Sequence, residues 1–186
     1  NLFASMMFLA GIGLLYGKAG TLNMADLAVK ISESDESLLI NSSAMLFFVA
    51  FSIKAAVFPF FFWLPASYHT PPIAITALFS GLLTKVGIYA MIRFFTLFFV
   101  QNQDFWHPLL LIIGGLTMVV GVLTAASQFD MRKILSFHII SQIGYMVMGL
   151  GLFTVMGIAG AIFFMVHNII TKTNTFLIAG IVSRIR

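Results

Sequence analysis

Residues 50–63 read AFSIKAAVFPFFFW, an apolar run that contains one charge, Lys54, and a proline, Pro59. A lysine at the centre of a membrane span costs about 2.5–3.5 kcal/mol on insertion scales, so it rarely lies there without a partner or a task. Pro59 has no N–H to donate to the carbonyl of Ala55, and we therefore predict a helix break about one turn after Lys54. A charge beside broken backbone at membrane depth is typical of the ion sites of transporters. The stretch predicts a proton-carrying role for Lys54.

A second lysine, Lys85, lies near the centre of the next apolar stretch, residues 72–100. Both lysines are too far from a helix end to reach the surface comfortably. Burial makes the loss of a proton from an ammonium group easier, so each lysine could exchange a proton near neutral pH. If the two lie close together, repulsion would prevent both from being charged at once. The alternatives are a structural lysine paired with a carboxylate of another helix, or two lysines that face different cavities.

Composition identifies an integral membrane protein. The chain is 60% hydrophobic and only 9% charged, with a mean hydropathy of +1.05, whereas soluble domains contain about 25% charged residues. The net charge of +4 is interpreted as a signal of membrane topology, and no nucleic-acid partner is expected. There is no cysteine, and the four histidines show no metal-binding spacing. We therefore predict neither a metal site nor a cofactor.

The hydropathy pattern predicts an all-α integral membrane domain over residues 1–186, a polytopic helix bundle with a discontinuous helix near Lys54–Pro59. Alternation with a period of two residues is not found, and helices satisfy their own backbone groups in lipid. The expected segments are 2–17, 39–63, 72–100, 109–128, 134–154 and 156–183, with a polar loop at 18–38. The chain opens at Asn1 without a basic leader and stops just after a helix, which suggests an internal piece of a longer membrane protein.

The loops predict an orientation in the membrane. The turn Asp130–Lys133 and the end at Arg184 and Arg186 carry four basic residues and one acid between them. The positive-inside rule places this side in the cytoplasm of a cell membrane. Loops 18–38 and 101–107 then lie together on the outer side.

Several residues have ordinary structural interpretations. Gly114, Gly115 and Gly144 are expected at close contacts between helices, because small residues let backbones approach. Trp106 and His107 are expected to anchor a loop at the membrane–water interface.

The last two segments contain three further candidates, His138, His167 and Lys172. His138 shares a helix face with Gln142, four residues away, while His167 and Lys172 lie about 140° apart around the last helix. Polar residues at this density in apolar helices indicate a water-lined interior rather than a lipid-facing surface. A histidine can relay protons near neutral pH, although a buried histidine that is only hydrogen-bonded is an equal alternative for His138.

Four motifs carry a resemblance to a known family. They are IKAAVFP at 53–59, FWLPASYHTPP at 62–72, LLTKVGIY at 82–89 and KILSFHIISQIGY at 133–145. Together they resemble the proton-conducting membrane subunits shared by respiratory complex I, membrane-bound hydrogenases and Mrp-type antiporters, and they are most similar to the Mrp-type antiporter branch. The resemblance covers essentially the whole chain.

The resemblance implies a larger subunit built from two inverted repeats, of which this chain is the middle. Lys54 would be the lysine of the first broken helix and Lys85 the connecting lysine on the next helix. His167 and Lys172 would lie on the polar helix that leads toward the second half-channel. Members of the family pair the first lysine with a glutamate on an earlier helix, which this chain lacks. Gln142 departs from the histidine of many complex I relatives, which argues against a relay at that position.

The implied function is that of a proton-translocating subunit in a multisubunit Na+/H+ antiporter, not an enzyme. Its partners would be the other subunits, the lipid bilayer, protons and Na+. One alternative is a proton-pumping subunit of complex I or of a membrane-bound hydrogenase. Another is a non-conducting scaffold subunit, in which neutral replacements of Lys54 and Lys85 would leave assembly and transport intact.

Overall fold

The computed structural model describes residues 1–34, 38–68 and 70–185, without the side chains of residues 184 and 185. All regular structure in this part is helical, which confirms the predicted class. The helices are α1 Leu2–Ala19, α2 Met24–Glu33, α3 Leu38–Ala55, α4 Trp63–Tyr68, α5 Ile73–Leu97, α6 Gln103–Ala126, α7 Met131–Gly151 and α8 Val155–Ile185. The predicted cytoplasmic charges Arg184 and Arg186, and His69 of the second motif, lie outside the described side chains.

Six of these helices are long and apolar enough to cross a membrane: α1, α3, α5, α6, α7 and α8. The chain is therefore a multi-pass membrane protein. The other two are short: α2 lies in the polar connection between α1 and α3, and α4 follows the break after α3. The segment predicted at 39–63 is discontinuous near Lys54–Pro59, as expected: it is helical as far as Ala55, and the next helix begins at Trp63.

Helix α6 begins at Gln103, six residues before the predicted start of that segment at 109. Its first turns hold Trp106, which was expected to anchor a loop at the interface. The structure instead places the ring in the core, 2% exposed, with ring centroids 4.7 Å from Phe95 and 5.7 Å from Phe48. The ring thus packs against aromatic side chains of α3 and α5, in an edge-on or tilted arrangement that is favourable for aromatic pairs.

Helices α6 and α7 pack most closely, through glycines. A Cβ atom at Gly144 would lie 2.6 Å from the carbonyl oxygen of Gly114, and one at Gly121 would lie 2.5 Å from the backbone nitrogen of Ser141. Backbones can approach this closely only where no side chain intervenes. The neighbouring Gly115 has no such contact, since nothing lies within 4 Å of its Cβ position. Of the predicted pair, Gly114 alone therefore makes the helix contact.

Polar contacts identify the two ends of the bundle. At one end, the Gln101 side-chain amide donates to the carbonyls of Ile31 (2.6 Å) and Ser34 (2.9 Å), so loops 18–38 and 101–107 do lie together. At the other end, Asp130 caps α7 by accepting from the backbone N–H groups of Arg132 and Lys133 at 2.8 and 3.2 Å. The N-terminus of α5 and the C-terminal part of α8 lie at this second end.

Candidate functional site

The helix break lies immediately after Lys54. Helix α3 ends at Ala55, and residues 56–62 are not helical. Ala56 adopts a φ of 59°, a left-handed conformation that commonly terminates a helix. The break therefore starts earlier than the position inferred from Pro59, which lies inside the non-helical segment.

Side chains from outside the break satisfy its free backbone groups. The indole Nε1–H of Trp63 donates to the carbonyl of Ile53 at 2.8 Å. The N–H of Phe58 donates to the hydroxyl oxygen of Thr117, on α6, at 3.1 Å. Buried backbone groups without a partner are costly, so these two side chains stabilise the break.

Lys54 projects into a cleft between α1, α3 and α5. The cleft has a volume of about 370 Å³, and its lining includes Phe51 of α3 and Leu83 and Val86 of α5. The burial expected for Lys54 is wrong for this chain, because α3 ends one residue after it: the side chain is exposed, and its ammonium group donates to the side-chain oxygen of Asn1 at 3.0 Å. In the described ranges no carboxylate forms an ion pair with it. The cleft therefore presents one charge on a mostly apolar wall.

Lys85 is buried, with 2% of its surface exposed. Its ammonium group donates to the backbone carbonyl of Ser80, on the same helix, at 2.5 Å. The ammonium of Lys172, on α8, lies near enough for its charge to act on Lys85. A partner of the same sign makes it unfavourable for both groups to hold a proton at once.

The two lysines of the motifs lie on different sides of α5. Leu83 and Val86 of α5 line the cleft of Lys54, whereas Lys85 points to roughly the opposite side of the helix, as the helical repeat requires. The electrostatic neighbour of Lys85 is therefore Lys172 and not Lys54. Lys54 and Lys85 therefore do not face the same cleft.

Helices α7 and α8 are joined by a row of polar contacts. The Nζ atom of Lys172 lies 3.0 Å from Nδ1 of His138. One turn along each helix, the side-chain amide of Asn168 donates to the side-chain oxygen of Gln142. Lys172 is buried and His138 is exposed. An ammonium group can only donate, so Nδ1 accepts when Lys172 is protonated and the neutral imidazole carries its hydrogen on Nε2.

His167 lies apart from this row. It is exposed on another face of α8, where Nε2 lies 3.4 Å from the hydroxyl of Thr171. The structure thus brings together three of the predicted residues, Lys85, Lys172 and His138. It leaves Lys54 and His167 at separate places.

Two side-chain contacts at the break were not predicted from the sequence: the hydrogen bonds of Thr117 and Trp63. A threonine in an apolar helix usually bonds to a carbonyl of its own helix, so its spacing carries no signal of a distant partner. Among the described residues, no group of three His, Cys, Asp or Glu side chains is placed to hold a metal ion.

Comparison with known proteins places this arrangement in a family. Residues 1–186 match the family described as "NADH:quinone oxidoreductase/Mrp antiporter, TM". A Na+/H+ antiporter subunit of Alkalihalophilus pseudofirmus is 56% identical over 185 residues, which are 100% of this chain and 38% of that protein. The chain therefore spans little more than a third of this relative. Such relatives are parts of antiporters, that is, transporters rather than enzymes, in agreement with the sequence analysis.

Solved structures share the fold. A chain in the structure of the Mrp complex from Dietzia sp. superposes with a TM-score of 0.89 at 38% identity, over 97% of this chain and 33% of that one. A chain of an archaeal respiratory membrane complex, the membrane-bound sulfane sulfur reductase, gives a TM-score of 0.90 at 32% identity, over 96% and 37%. The fold thus occurs both in an antiporter complex and in a respiratory complex.

Proposed function

Because the chain belongs to the NADH:quinone oxidoreductase/Mrp antiporter family, we propose that it is a proton-translocating part of a multisubunit Na+/H+ antiporter. The exchange of Na+ for protons is supported by the similarity to a relative that is named as part of a Na+/H+ antiporter. Other subunits of a hetero-oligomeric complex, the lipid bilayer, protons and Na+ are its proposed partners.

The contact between Lys172 and His138 is the observation that carries the proposal. A protonated Lys172 donates to Nδ1 of a neutral His138 at 3.0 Å. Transfer along this hydrogen bond leaves a neutral amine and an imidazolium, and the reverse transfer restores the first state. Lys85, buried nearby on α5, lies within electrostatic reach of Lys172.

Lys54 is proposed as the second proton-carrying group, in the cleft beside the helix break. It and Lys85 lie on different sides of α5, so a proton passing between them requires water molecules as a bridge. His167 is the proposed exchange group on the other face of α8. Pro59 lies in the break that follows α3 beside Lys54, and we propose that it helps to keep this segment out of the helical conformation.

The orientation is part of the proposal as well. The turn Asp130–Lys133, together with the basic end of the chain, would face the cytoplasm of the cell membrane. Loops 18–38 and 101–107 would face outward, and the hydrogen bonds of Gln101 that hold them together support a common side.

A redox-driven proton pump is the second candidate, favoured by the similarity to the archaeal respiratory complex. It would use the same lysines and histidine, with the driving force supplied by electron transfer in other subunits. Purification of the native complex discriminates the two, because iron–sulfur or quinone-binding subunits would accompany this chain only in a redox complex. The scaffold alternative predicts that neutral replacement of the lysines leaves transport intact.

The proposed function is tested by sodium-driven proton movement in inverted vesicles. The parent complex is compared with Lys54→Ala at matched expression, and Lys18→Ala, which removes an exposed charge near the end of α1, serves as the control. We expect Lys54→Ala to abolish coupled movement while the complex still assembles, and Lys18→Ala to resemble the parent. Full activity of both Lys54→Ala and Lys85→Ala in intact complexes would reduce this chain to a scaffold.

A further inference from the structure

Thr117 makes an unusual contact for a threonine in an apolar helix. Its side chain is fully buried, and its hydroxyl donates to the carbonyl of Ile113, four residues earlier on α6, at 2.6 Å. That bond is ordinary for a helical threonine. The same oxygen also accepts the N–H of Phe58, in the break beside Lys54, at 3.1 Å. One hydroxyl therefore joins two elements that are 59 residues apart in the chain.

A hydroxyl group suits this position because it can donate and accept at once. The N–H of Phe58 lies in residues 56–62, where the helical pattern is interrupted, so it needs an acceptor from elsewhere. A hydroxyl group donates one hydrogen and still has lone pairs to accept another. Valine has nearly the same shape as threonine but has no acceptor, and it would leave the Phe58 N–H without its partner.

Thr117 is itself held firmly. It lies on α6 between Gly114 and Gly121, one turn to either side, and both glycines contact the backbone of α7. Helix α7 also carries His138. The α6–α7 pair therefore holds His138 and, through Thr117, the break beside Lys54. The position of the break is thus set by α6 and not by α3 alone.

We propose that Thr117 is a positioning residue, which fixes the backbone break after Lys54 against the α6–α7 pair by accepting the N–H of Phe58. The consequence for transport rests on the proposed function, in which Lys54 carries a proton. The consequence for the structure of the break does not depend on that function.

The first test measures the break directly. A single cysteine replaces Phe60, a half-buried residue of the break, in the full complex without other reactive cysteines, and its labelling by a water-soluble maleimide is timed. Thr117→Val is compared with Thr117→Ser, which keeps the hydroxyl. The matched control is Thr124→Val, because the Thr124 hydroxyl bonds to Val120 within α6.

We expect Thr117→Val to raise the labelling rate by about fivefold, because the loss of one hydrogen bond increases the population of the opened break by about that factor. Thr117→Ser and Thr124→Val should stay within about twofold of the parent, which is less than the effect of one such bond. Thr117→Ala makes the same test if the valine variant does not assemble. An unchanged rate in the variant that lacks the hydroxyl would overturn the proposal.

The second test measures the rate of sodium-driven proton movement in the same variants without the added cysteine. Thr117→Val should lower the rate by about fivefold, the effect of one lost hydrogen bond, and Thr117→Ser should restore the parent rate. Faster labelling with an unchanged transport rate would overturn the positioning role. If Lys54→Ala retains full transport, the proposed role of Lys54 fails instead, and the labelling result still decides whether Thr117 anchors the break.

Discussion

The ammonium nitrogen of Lys172 lies 3.0 Å from Nδ1 of His138, across the contact between α8 and α7. Both groups can exchange protons, and a third, Lys85, lies within electrostatic reach of Lys172. Lysine and histidine side chains in direct contact form a unit in which one proton has two adjacent sites.

The contact predicts strongly non-additive effects on transport. Lys172→Met and His138→Ala should each lower sodium-driven proton movement by about tenfold or more, because general acid–base groups contribute at least that much to proton transfer. The double variant should be no worse than the stronger single variant, since either change already removes the unit. His167→Ala, on the other face of α8, should have a smaller effect. Fully additive losses would show that the two residues act separately.

The two lysines of the motifs should differ in importance. Lys54→Ala is expected to abolish coupled transport, whereas Lys85→Ala should impair it more mildly, because Lys172 remains beside His138 to hold a proton. Transport rates at matched assembly, measured over a range of pH, check this order. A complete loss in Lys85→Ala with substantial activity in Lys54→Ala would reverse the roles assigned here.

The α6–α7 contact predicts opposite outcomes at two glycines. Gly144→Ala places a Cβ 2.6 Å from the Gly114 carbonyl oxygen and should destabilise the complex by about 1–3 kcal/mol, the usual cost of overpacking. Gly115→Ala meets open space and should be neutral or stabilising, because alanine favours a helix by up to about 1 kcal/mol over glycine. The thermal midpoint of the purified complex measures both. Equal midpoints for the two variants would contradict the close contact.

Gln101 predicts the local stability of α2. Gln101→Leu removes two hydrogen bonds to the carbonyls at the C-terminus of α2. It should therefore lower the free energy required to open that helix by about 1–3 kcal/mol. Trypsin cleavage after Lys30, a residue of α2, reports this opening as a faster rate. The control is Gln103→Leu, a change at an exposed position. The same cleavage rate in both variants would show that Gln101 does not hold α2.

Much of this protein was determined by the sequence alone. The length and hydropathy of the apolar runs predict a helical membrane bundle, because a helix satisfies its own backbone wherever it lies in lipid. A lysine in such a run draws attention for an equally local reason, the energy of its own burial. Lys54, Lys85, His138, His167 and Lys172 could all be identified in this way, and so could the interruption after Lys54.

The tertiary structure decided which of these residues meet. A rotation of one helix about its axis changes its neighbours without any change in its hydropathy, and the rotation of α5 is set by contacts such as Gly87 against Ala55 of α3. Packing therefore places Lys85 toward Lys172 and away from the cleft of Lys54. It also brings the Thr117 hydroxyl to the N–H of Phe58, a hydrogen bond between distant residues that no local pattern specifies. The sequence determines which groups can carry a proton, because their chemistry is local, and helix packing determines which of them are neighbours.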